Sequence, residues 1–396
     1  MTRLPDSGLS GTAAAGTGPF DFELPDPHLR TLQRYVRAEA PALRAVAQEM
    51  DRHPDGSTLY PQAPLLDRLA TLQIPRPYAG DPLIVEGREY PLLSAVERVV
   101  FHEEAAAHGD ASILLSAPGS LTAGMLVAAL GDEAQQARFF TALRSAPAWT
   151  FLAMTEPQGG SDATALRTTL DPAPGGDGFL LTGTKRFIGN AHRARTGVVT
   201  VRTGPGPLGI RCALVDTDAP GVTAAPVATL GMRGALGAIA FDRVPVPAEN
   251  LLGSHLPATR RGMWGWLHSF NLLRCVAAAM AVGLARAVHD HLAAHGLPPA
   301  RLAPLAARIH RVRALTHQAA GAVDADPATA HLPAAAKTAA AELAEHTTAR
   351  ALELLGPGAR LEHPLLDKWA RDAHGFDPME GTAQVQALTV FASLRR

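Results

Sequence analysis

Two turns rich in glycine, serine and threonine lie in the middle of the chain. The first is Met154-Thr-Glu-Pro-Gln-Gly-Gly-Ser-Asp162, and the second is Gly183-Thr-Lys-Arg-Phe-Ile-Gly-Asn190. Each turn adjoins a run of residues that favours β-structure. Small residues let a backbone approach a ligand closely, and hydroxyl groups supply hydrogen bonds. The pair therefore predicts a surface for a flat ligand with polar edges.

A third segment, near the C-terminus, carries a candidate base. Its sequence is Arg371-Asp-Ala-His-Gly-Phe-Asp-Pro-Met-Glu-Gly-Thr382, in which Glu380 directly precedes a Gly-Thr pair. A carboxylate beside a substrate is a common general base. The three segments together predict a cofactor platform that faces a proton acceptor.

Composition limits the classes of protein that fit. The 396 residues suffice for two or three domains or one integrated unit, and 47% are hydrophobic and 18% charged. The net charge of -1 predicts no broad field for nucleic acid or an anionic membrane. We expect neither as a partner, and no apolar run reads as a membrane span or targeting segment.

Cysteine and histidine usage argues against disulfides and metal. Only Cys212 and Cys275 are present, so we expect two buried free thiols and a cytoplasmic location. The 16 histidines are scattered and form no His-Glu-x-x-His pair, so no metal site is predicted.

Periodicity divides the chain into a helical part, a β part and a second helical part, which is an α+β multidomain class. We predict a flexible arm over 1–25, a helical domain over 26–147, a β domain over 148–255 and a helical bundle over 256–396. Predicted helices cover 27–51, 63–73, 93–108, 120–143, 262–295, 299–325, 331–355 and 378–394, and 74–91 reads as a loop. Within 120–143, Gly131 is a break after which a new helix begins at Asp132-Glu133. Predicted strands cover 150–154, 179–182, 196–201, 210–215 and 238–241.

In this order and spacing, the motifs resemble those of the acyl-CoA dehydrogenase family of flavoproteins. The resemblance is carried by 154–162, 183–190, Gly231-Met-Arg-Gly234, the run from Phe241 to Gly253, and Arg371-Asp-Ala through Glu380-Gly-Thr382. It is clear over roughly 148–290 and 350–390 and only architectural elsewhere. It implies an N-terminal helical domain, a small β-barrel-like domain and a C-terminal four-helix bundle, with FAD between them.

The resemblance also assigns roles to residues. Met154 and Thr155 would face the isoalloxazine, and Ser161 would reach the diphosphate and the thioester arm of the substrate. Phe187, Ile188 and Gly189 would cover the other flavin face. The implied cofactor-binding set is Met154, Thr155, Gly160, Ser161, Phe187, Ile188, Gly189, Thr382 and Gln384. The implied substrate-binding set is Ser161, Asn271, Arg274 and Gly381.

The family's catalytic glutamate matches Glu380, nine residues beyond Arg371. Its backbone N–H would also stabilise the enolate-like oxygen of the thioester. Some branches carry the base on an earlier helix, where this chain has Leu273, which cannot serve. Asp377 is the nearest competitor, and a plain helix-terminal carboxylate is the alternative interpretation of Glu380. Glu156 and Asp162 are expected to hold their turn rather than to catalyse.

Five departures from the family pattern bear on the site. Gly189 and Ala235 stand where the family usually has hydroxyl residues, and Asn271 stands where it usually has Asp. The segment 295–304 lacks the family's Arg-x-x-Phe-Gly, which reaches a neighbouring subunit's FAD. Gln-x-x-Gly-Gly appears as Glu353-Leu-Leu-Gly-Pro357.

The predicted function is therefore FAD-dependent oxidation of an acyl thioester, borne by CoA or an acyl carrier protein, to the trans-2-enoyl thioester. Glu380 would take the α-proton, and an electron-transferring flavoprotein or a substitute would reoxidise the flavin. The departures favour a specialised pathway such as polyketide-type biosynthesis. A flavin oxidase or monooxygenase of the same fold, and a catalytically silent binding homologue, are the alternatives. A homodimer or homotetramer is expected from the C-terminal helices.

Overall fold

A computed structural model describes residues 24–54, 63–78, 82–119, 121–145 and 148–395. Nearly all of the arm predicted over 1–25 lies outside these residues. In chain order, the described part has helices, then a curled β-sheet, then helices again. The predicted fold class is therefore confirmed.

Seven helices and one hairpin precede the main sheet in the described part of the chain. The helices are α1 (Pro27–Glu39), α2 (Pro41–Arg52), α3 (Pro64–Leu72), α4 (Ala95–Glu104), α5 (Ala111–Leu115), α6 (Leu121–Leu130) and α7 (Glu133–Ser145), and the hairpin strands are β1 (Leu83–Val85) and β2 (Arg88–Tyr90). The start of α4 shows a local cause, because the Ser94 hydroxyl accepts the Glu97 N–H at 3.1 Å.

Two predictions for this part are wrong. The single helix expected over 27–51 is two helices, which divide at Ala40 before Pro41 because proline cannot continue the hydrogen-bond ladder of the preceding helix. The loop expected over 74–91 contains the β1–β2 hairpin, in which Leu83 pairs with Tyr90. Glu86 and Gly87, with φ of 50° and 74°, form its tight turn.

The middle of the chain forms one curled sheet of seven strands. They are β3 (Thr150–Ala153), β4 (Thr169–Pro172), β5 (Phe179–Gly189), β6 (Thr196–Arg202), β7 (Ile210–Asp216), β8 (Val222–Pro226) and β9 (Leu236–Val246). The strand order is β3-β6-β4-β5-β9-β8, and β7 also pairs with β6 in antiparallel orientation. The five predicted strands are present, and the sequence reading missed β4 and β8.

The C-terminal part is a helical bundle around one long helix. It comprises α8 (Met263–Ala294), α9 (Pro299–Ala325), α10 (His331–Leu355), α11 (Ala359–Glu362), α12 (Pro364–Ala373) and α13 (Ala383–Leu394). Helix α10 packs against α8, α9 and α13. The prediction of a helix over 378–394 is wrong at its start, since residues 374–382 form a turn that contains Glu380.

Helix α8 is the centre of the helical core because its small side chains allow close packing. A Cβ at Gly283 would lie 2.5 Å from the carbonyl oxygen of Glu103 on α4. Buried ion pairs join the same helices, with Glu103 Oε1 at 2.5 Å from both Arg286 of α8 and Arg313 of α9. Such pairs tie helices in one arrangement when every charge is matched.

The apolar character of this helix has a bearing on membranes. By length and composition, Ala258–Ala294 passes the test for a membrane-crossing helix, but 94% of its most apolar window is buried inside the protein. That degree of burial is typical of a core helix. Cys212 and Cys275 are buried free thiols, as expected, and burial raises the pKa of each to about 12.

Candidate active site

The two glycine-rich turns lie side by side. The N–H of Arg186 on β5 donates to the carbonyl of Thr155 at 2.9 Å, and Lys185 Nζ donates to the carbonyl of Met154 at 3.0 Å. Both donors come from one strand, so β5 fixes the course of the 154–162 turn. The predicted cofactor residues Met154 and Thr155 are half-buried at this contact.

A buried carboxylate holds the first turn in shape. Glu156 accepts hydrogen bonds from Lys185 Nζ at 2.9 Å, from the Thr168 hydroxyl at 2.6 Å and from the Arg167 N–H at 2.7 Å. Burial alone would raise the pKa of Glu156, but the hydrogen bonds from Thr168, Arg167 and Lys185 outweigh it and lower the pKa to about 2. As predicted, this carboxylate is structural.

Phe187 is turned outward by an irregularity in β5. The pairing of β5 with β9 shifts register between Arg186 and Ile188, and Phe187 has a φ of 60°. A β-bulge re-aims a side chain, and a left-handed φ is strained for a bulky residue. The ring is 50% exposed. The strand thus accepts local strain and presents an aromatic face on its outer side.

The other predicted cofactor residues of this region surround open space. Gly160 and Ser161 are exposed, Ile188 is buried beneath the strand, and Gly189 is half-buried. No atom lies within 4 Å of a Cβ built on Gly189. A Cβ on Gly160 would meet the Thr155 hydroxyl at 2.9 Å, so glycine allows the two arms of the turn to approach.

We call the surface formed by the turns 154–162 and 183–190 the β-sheet wall. The loop 230–235 connects this wall to helix α12. At one end, the Asn190 N–H donates to the carbonyl of Ala235 at 2.9 Å. At the other, the Met232 N–H donates to the Asp372 carboxylate. A Cβ on Gly231 would lie 2.1 Å from the Arg371 carbonyl, so this loop is pressed directly onto α12. These contacts hold the β-sheet wall against α12, the helix that leads into the turn carrying Glu380.

Glu380 lies in a constrained turn between α12 and α13. Its φ is 54°, which costs about 1–3 kcal/mol for a residue with a side chain. Lys337 Nζ of α10 donates to the carbonyls of Asp377 at 2.5 Å and Gly381 at 2.6 Å. Gln386 Nε2 donates to the carbonyls of Glu380 at 2.8 Å and Gly381 at 2.9 Å. Two buried side chains therefore hold the strained turn in place.

The electrostatics of Glu380 suit a base. Burial raises the pKa of its carboxyl to about 7, against the opposing effect of Arg274 and Lys337. The side chain keeps part of its surface accessible. Near neutral pH such a carboxylate is partly ionised and is a stronger base than an ordinary glutamate.

Two predicted substrate residues, Arg274 and Asn271, form a pair near this carboxylate. Arg274 Nη1 donates to Asn271 Oδ1 at 3.1 Å, and Asn271 Nδ2 donates to the Pro327 carbonyl at 2.9 Å. Both residues are buried, and Arg274 Nε has no hydrogen-bond partner among the described residues. Burial lowers the pKa of Arg274, and Glu380 opposes the shift. A neutral Asn leaves the guanidinium charge available to Glu380 and to a ligand.

The structure brings some predicted residues together and leaves others apart. Glu380, Gly381, Asn271 and Arg274 are grouped around the turn, and Met154, Thr155, Gly160 and Phe187 are grouped at β5. Thr382 precedes α13 and makes no side-chain capping bond, while Gln384 is exposed. Glu353, one of the departures from the family pattern, has an exposed side chain that points away from the core and pairs with Arg350 at 2.7 Å.

Sequence reasoning missed Lys337 and Gln386, although both hold the turn. Lys337 is 1% exposed in an alanine-rich helix, and burial lowers its pKa to about 8. A lone lysine in the alanine run 334–341 is a signal for a buried charge that must contact polar atoms. Gln386 lies two residues beyond the predicted Gln384 and is fully buried.

Comparisons with known proteins identify the class. The family model "Acyl-CoA dehydrogenase, middle domain" matches residues 151–244, and "Acyl-CoA dehydrogenase, C-terminal domain" matches residues 260–394. The probable acyl-CoA dehydrogenase YngJ of Bacillus subtilis is 32% identical over 283 residues, which cover 67% of this chain and 73% of that protein. The caffeyl-CoA reductase-Etf complex subunit CarC of Acetobacterium woodii is 26% identical over 75% of this chain and 81% of its own.

Solved structures agree in fold. The glutaryl-coenzyme A dehydrogenase glutaryl-CoA complex superposes with a TM-score of 0.81 at 26% identity, over 95% of this chain and 96% of that one. The prolyl acyl carrier protein oxidase AnaB has a TM-score of 0.78 at 19% identity, over 93% and 99%, which is a likeness of fold alone.

The chain belongs to the acyl-CoA dehydrogenase family. It is an FAD-dependent oxidoreductase, and the reaction general to the family is dehydrogenation of acyl-CoA. The residues present fit FAD, because an exposed aromatic face at Phe187, open space at Gly189 and the exposed hydroxyl of Ser161 lie on one wall.

Proposed function

We propose that this chain oxidises a saturated acyl thioester to the trans-2-enoyl thioester, with Glu380 as the base. The observation that carries the proposal is the strained turn at Glu380. It holds a carboxyl whose pKa is raised to about 7 beside the buried guanidinium of Arg274. Sites of catalysis gather strained backbone and shifted pKa values in this way.

In the proposed reaction, the α-carbon of the thioester lies against the Glu380 carboxylate, which takes the α-proton. The N–H of Glu380 donates to the thioester carbonyl oxygen and stabilises the negative charge that develops there. Lys337 and Gln386 keep the turn rigid, so the carboxylate does not reorganise during the step. When bound, FAD supplies an acceptor for the hydride that leaves the β-carbon.

The groups that bind and position the substrate follow from the same contacts. We propose that Arg274 and Asn271 line the approach to Glu380 from α8, and that Ser161 contacts the thioester arm from the β-sheet wall. An electron-transferring flavoprotein is the proposed acceptor of the electrons, a partner that the name of the CarC relative supports. We propose CoA or an acyl carrier protein as the carrier, in a specialised biosynthetic pathway in the cytoplasm.

A half-reaction tests this proposal. FAD-loaded protein is mixed under anaerobic conditions with one acyl chain borne either by CoA or by carrier protein. Bleaching of the flavin absorbance, with a product lighter by two hydrogens at C2–C3, is the expected result. No bleaching with any member of a panel of chain lengths on either carrier would refute the dehydrogenase. A rate on one carrier far above the other identifies the carrier.

A second candidate, an oxidase of the same fold, rests on the open space at Gly189. The absence of a side chain there leaves room for dioxygen beside the flavin edge. Substrate-dependent oxygen consumption with stoichiometric hydrogen peroxide supports this candidate. Turnover that requires an added electron-transferring flavoprotein and proceeds unchanged without oxygen rules it out.

We also infer self-association through α13. Its exposed face carries Leu388, Phe391 and Leu394, which are 68%, 58% and 76% exposed and recur every three residues. An apolar stripe of this kind on a bundle helix fits a second copy of the chain. Light scattering should give a dimer or tetramer for the native protein and a smaller particle for Phe391→Glu. A monomeric native protein would overturn the inference.

A further inference from the structure

Three histidines form a cluster at the C-terminal end of α8, away from the β-sheet wall and from Glu380. His291 lies in the last turn of α8, His295 follows as its C-cap, and His363 immediately precedes α12. His291 and His295 are four residues apart, so they share one face of the helix. This spacing alone predicts no metal site, and only the fold adds the third histidine.

The ring nitrogens lie close together, and one pair has the separation of a tetrahedral edge. One ligand nitrogen from each of the three rings lies within 4.8 Å of the others. His291 Nε2 and His363 Nδ1 are 3.3 Å apart. In a tetrahedral zinc site with Zn–N distances of about 2.0–2.1 Å, two ligand nitrogens are separated by about 3.3–3.4 Å. The His291–His363 separation therefore needs almost no adjustment to become one edge of a tetrahedron.

A hydrogen bond selects the free nitrogen of His295. Its Nδ1 lies 2.7 Å from the carbonyl oxygen of His291, a distance at which Nδ1–H donates to that oxygen. The lone pair then resides on Nε2. Metal-binding histidines commonly donate their second ring nitrogen to a backbone carbonyl, which fixes the ring and increases its basicity.

The surroundings both favour and oppose a cation. The end of α8 presents carbonyl groups and the negative end of the helix dipole. Arg44 is the opposing charge, but its guanidinium donates to the carbonyls of Ala107 at 2.9 Å and Gly109 at 3.0 Å. These hydrogen bonds partly offset the positive charge of Arg44. A cation in the site must bind strongly to overcome the remaining repulsion.

We propose that His291, His295 and His363 bind one divalent transition-metal ion, Zn²⁺, with water as its fourth ligand. Three imidazoles suit zinc among the common divalent ions, and His295 is exposed, which leaves the fourth position open to solvent. The sequence alone predicts no metal site, so the assignment comes from the fold.

The ion would clamp two parts of the bundle. It would link the end of α8 to the start of α12, and α12 carries Arg371 and Asp372, which dock the 230–235 loop and lead into the Glu380 turn. Because the cluster is separate from Glu380, the ion is structural in this proposal. It stabilises the folded state by mass action without entering the reaction.

The test uses tag-free, FAD-loaded protein that has been stripped with EDTA and dialysed. Titration with Zn²⁺ should show one ion bound per chain and a raised melting temperature. Co²⁺ should give the absorption bands of a four-coordinate site, and Cu²⁺ should quench Trp369, whose ring lies 5.9 Å from that of His291. His363→Ala and His295→Ala should each weaken zinc binding at least 10-fold.

His374→Ala is the matched control, because His374 is an exposed histidine of the same region that contacts Glu345 instead. Its zinc affinity should equal that of the native protein. Equal affinity in His363→Ala, or an equal loss in His374→Ala, means adventitious binding by surface histidines and overturns the proposal. If His363→Ala does not fold, His295→Ala at the exposed helix end decides.

Discussion

Two glutamates of this protein, the buried Glu156 and the half-buried Glu380, each lie near a buried lysine and have opposite electrostatics. Glu156, in the first turn of the β-sheet region, has a pKa of about 2, whereas Glu380, in the C-terminal turn, has a pKa of about 7. Burial raises the pKa of both carboxyls. The difference comes from where the neighbouring donors point. Lys185 Nζ contacts the Glu156 carboxylate itself, whereas Lys337 Nζ contacts the backbone carbonyls of Asp377 and Gly381.

This contrast shows that a nearby cation does not by itself make a carboxylate an ion-pair partner. Glu156 has its hydrogen-bonding capacity filled by Lys185, Thr168 and the Arg167 N–H, so the charged form is strongly favoured. At Glu380 the two cations act on the charge from a distance, because Lys337 donates to the backbone of the turn and Arg274 donates to Asn271. A carboxylate whose oxygens accept several hydrogen bonds is structural, whereas one without such donors keeps its affinity for a proton.

The largest expected effect is on catalysis. Glu380→Gln removes the proposed base and keeps the shape of the side chain, so flavin bleaching by an acyl thioester should slow by about 10³-fold. Stopped-flow absorbance measures the rate. Asp377→Asn is the control, because its retained oxygen still accepts the Ala383 N–H. Slowing of Asp377→Asn by the same factor, with a near-native Glu380→Gln, would move the base to Asp377.

The next effect is on stability at the other glutamate. Glu156→Ala leaves Lys185 buried and unpaired, which should lower the free energy of unfolding by about 3–5 kcal/mol in urea titrations. Glu353→Ala removes an exposed pair with Arg350 and should change it by less than about 1 kcal/mol. Similar losses in the two variants would mean that the Glu156 network is not a structural tie.

The third effect separates the charge of Lys337 from its role in holding the Glu380 turn in position. Lys337→Met removes a cation that lowers the pKa of Glu380, so the rise of kcat/KM with pH should move from about 7 to higher pH. The rate should also fall on the order of 10–100-fold, because the turn loses two hydrogen bonds. Gln386→Leu loosens the same turn without a change of charge. It should slow the reaction and leave the pH midpoint in place.

A fourth effect concerns stability as a function of pH. The pKa of Glu380 is raised from 4.5 to about 7 in the folded state. The stability that protonated Glu380 contributes is fully present below pH 4.5 and is lost as the pH rises through about 7. Glu380→Gln removes this loss, so the variant should melt above the native protein at pH 8 and close to it at pH 4.5. Native protein that melts higher at pH 8 would contradict the raised pKa.

The smallest expected effect is at Gly189. Because no atom lies within 4 Å of an added Cβ, Gly189→Ser should change stability by less than about 0.5 kcal/mol. Its hydroxyl should slow reoxidation of reduced flavin by oxygen, measured by stopped flow. Gly189→Ala adds bulk without a hydroxyl and separates the two causes. Failure of both variants to bind FAD would show that this space is needed for the cofactor.

Much of the fold was predictable because proline and glycine mark the ends of several helices. The helices 299–325 and 331–355 have the predicted bounds, since Pro298-Pro299, Asp326-Pro327 and Gly356 punctuate them. The strand β8 was missed because its exposed run, Val222–Pro226, has no alternating pattern. The roles predicted for Met154, Ser161 and the other cofactor residues stay predictions.

The site itself was predictable only in its motif residues. Lys337 lies in a helix more than forty residues before Glu380, and nothing local to it indicates that its amine reaches a distant turn. The helix expected over 378–382 failed for a related reason. Tertiary contacts from Lys337 and Gln386 stabilise a left-handed residue where local propensity favours helix.

Arg371 joins segments that are made at very different times during synthesis. Its guanidinium contacts Asp51 at 2.9 and 2.6 Å, a residue 320 positions earlier, as well as the Leu230 carbonyl at 3.1 Å. Asp51 therefore leaves the ribosome long before its partner exists. The β-sheet region already contacts the N-terminal helices, since Asn190 Nδ2 donates to the Leu115 carbonyl at 3.1 Å, but the junction through Arg371 forms only when the last turns of the chain emerge. A chain cut short by a few dozen residues would lose this junction and the proposed base in one event.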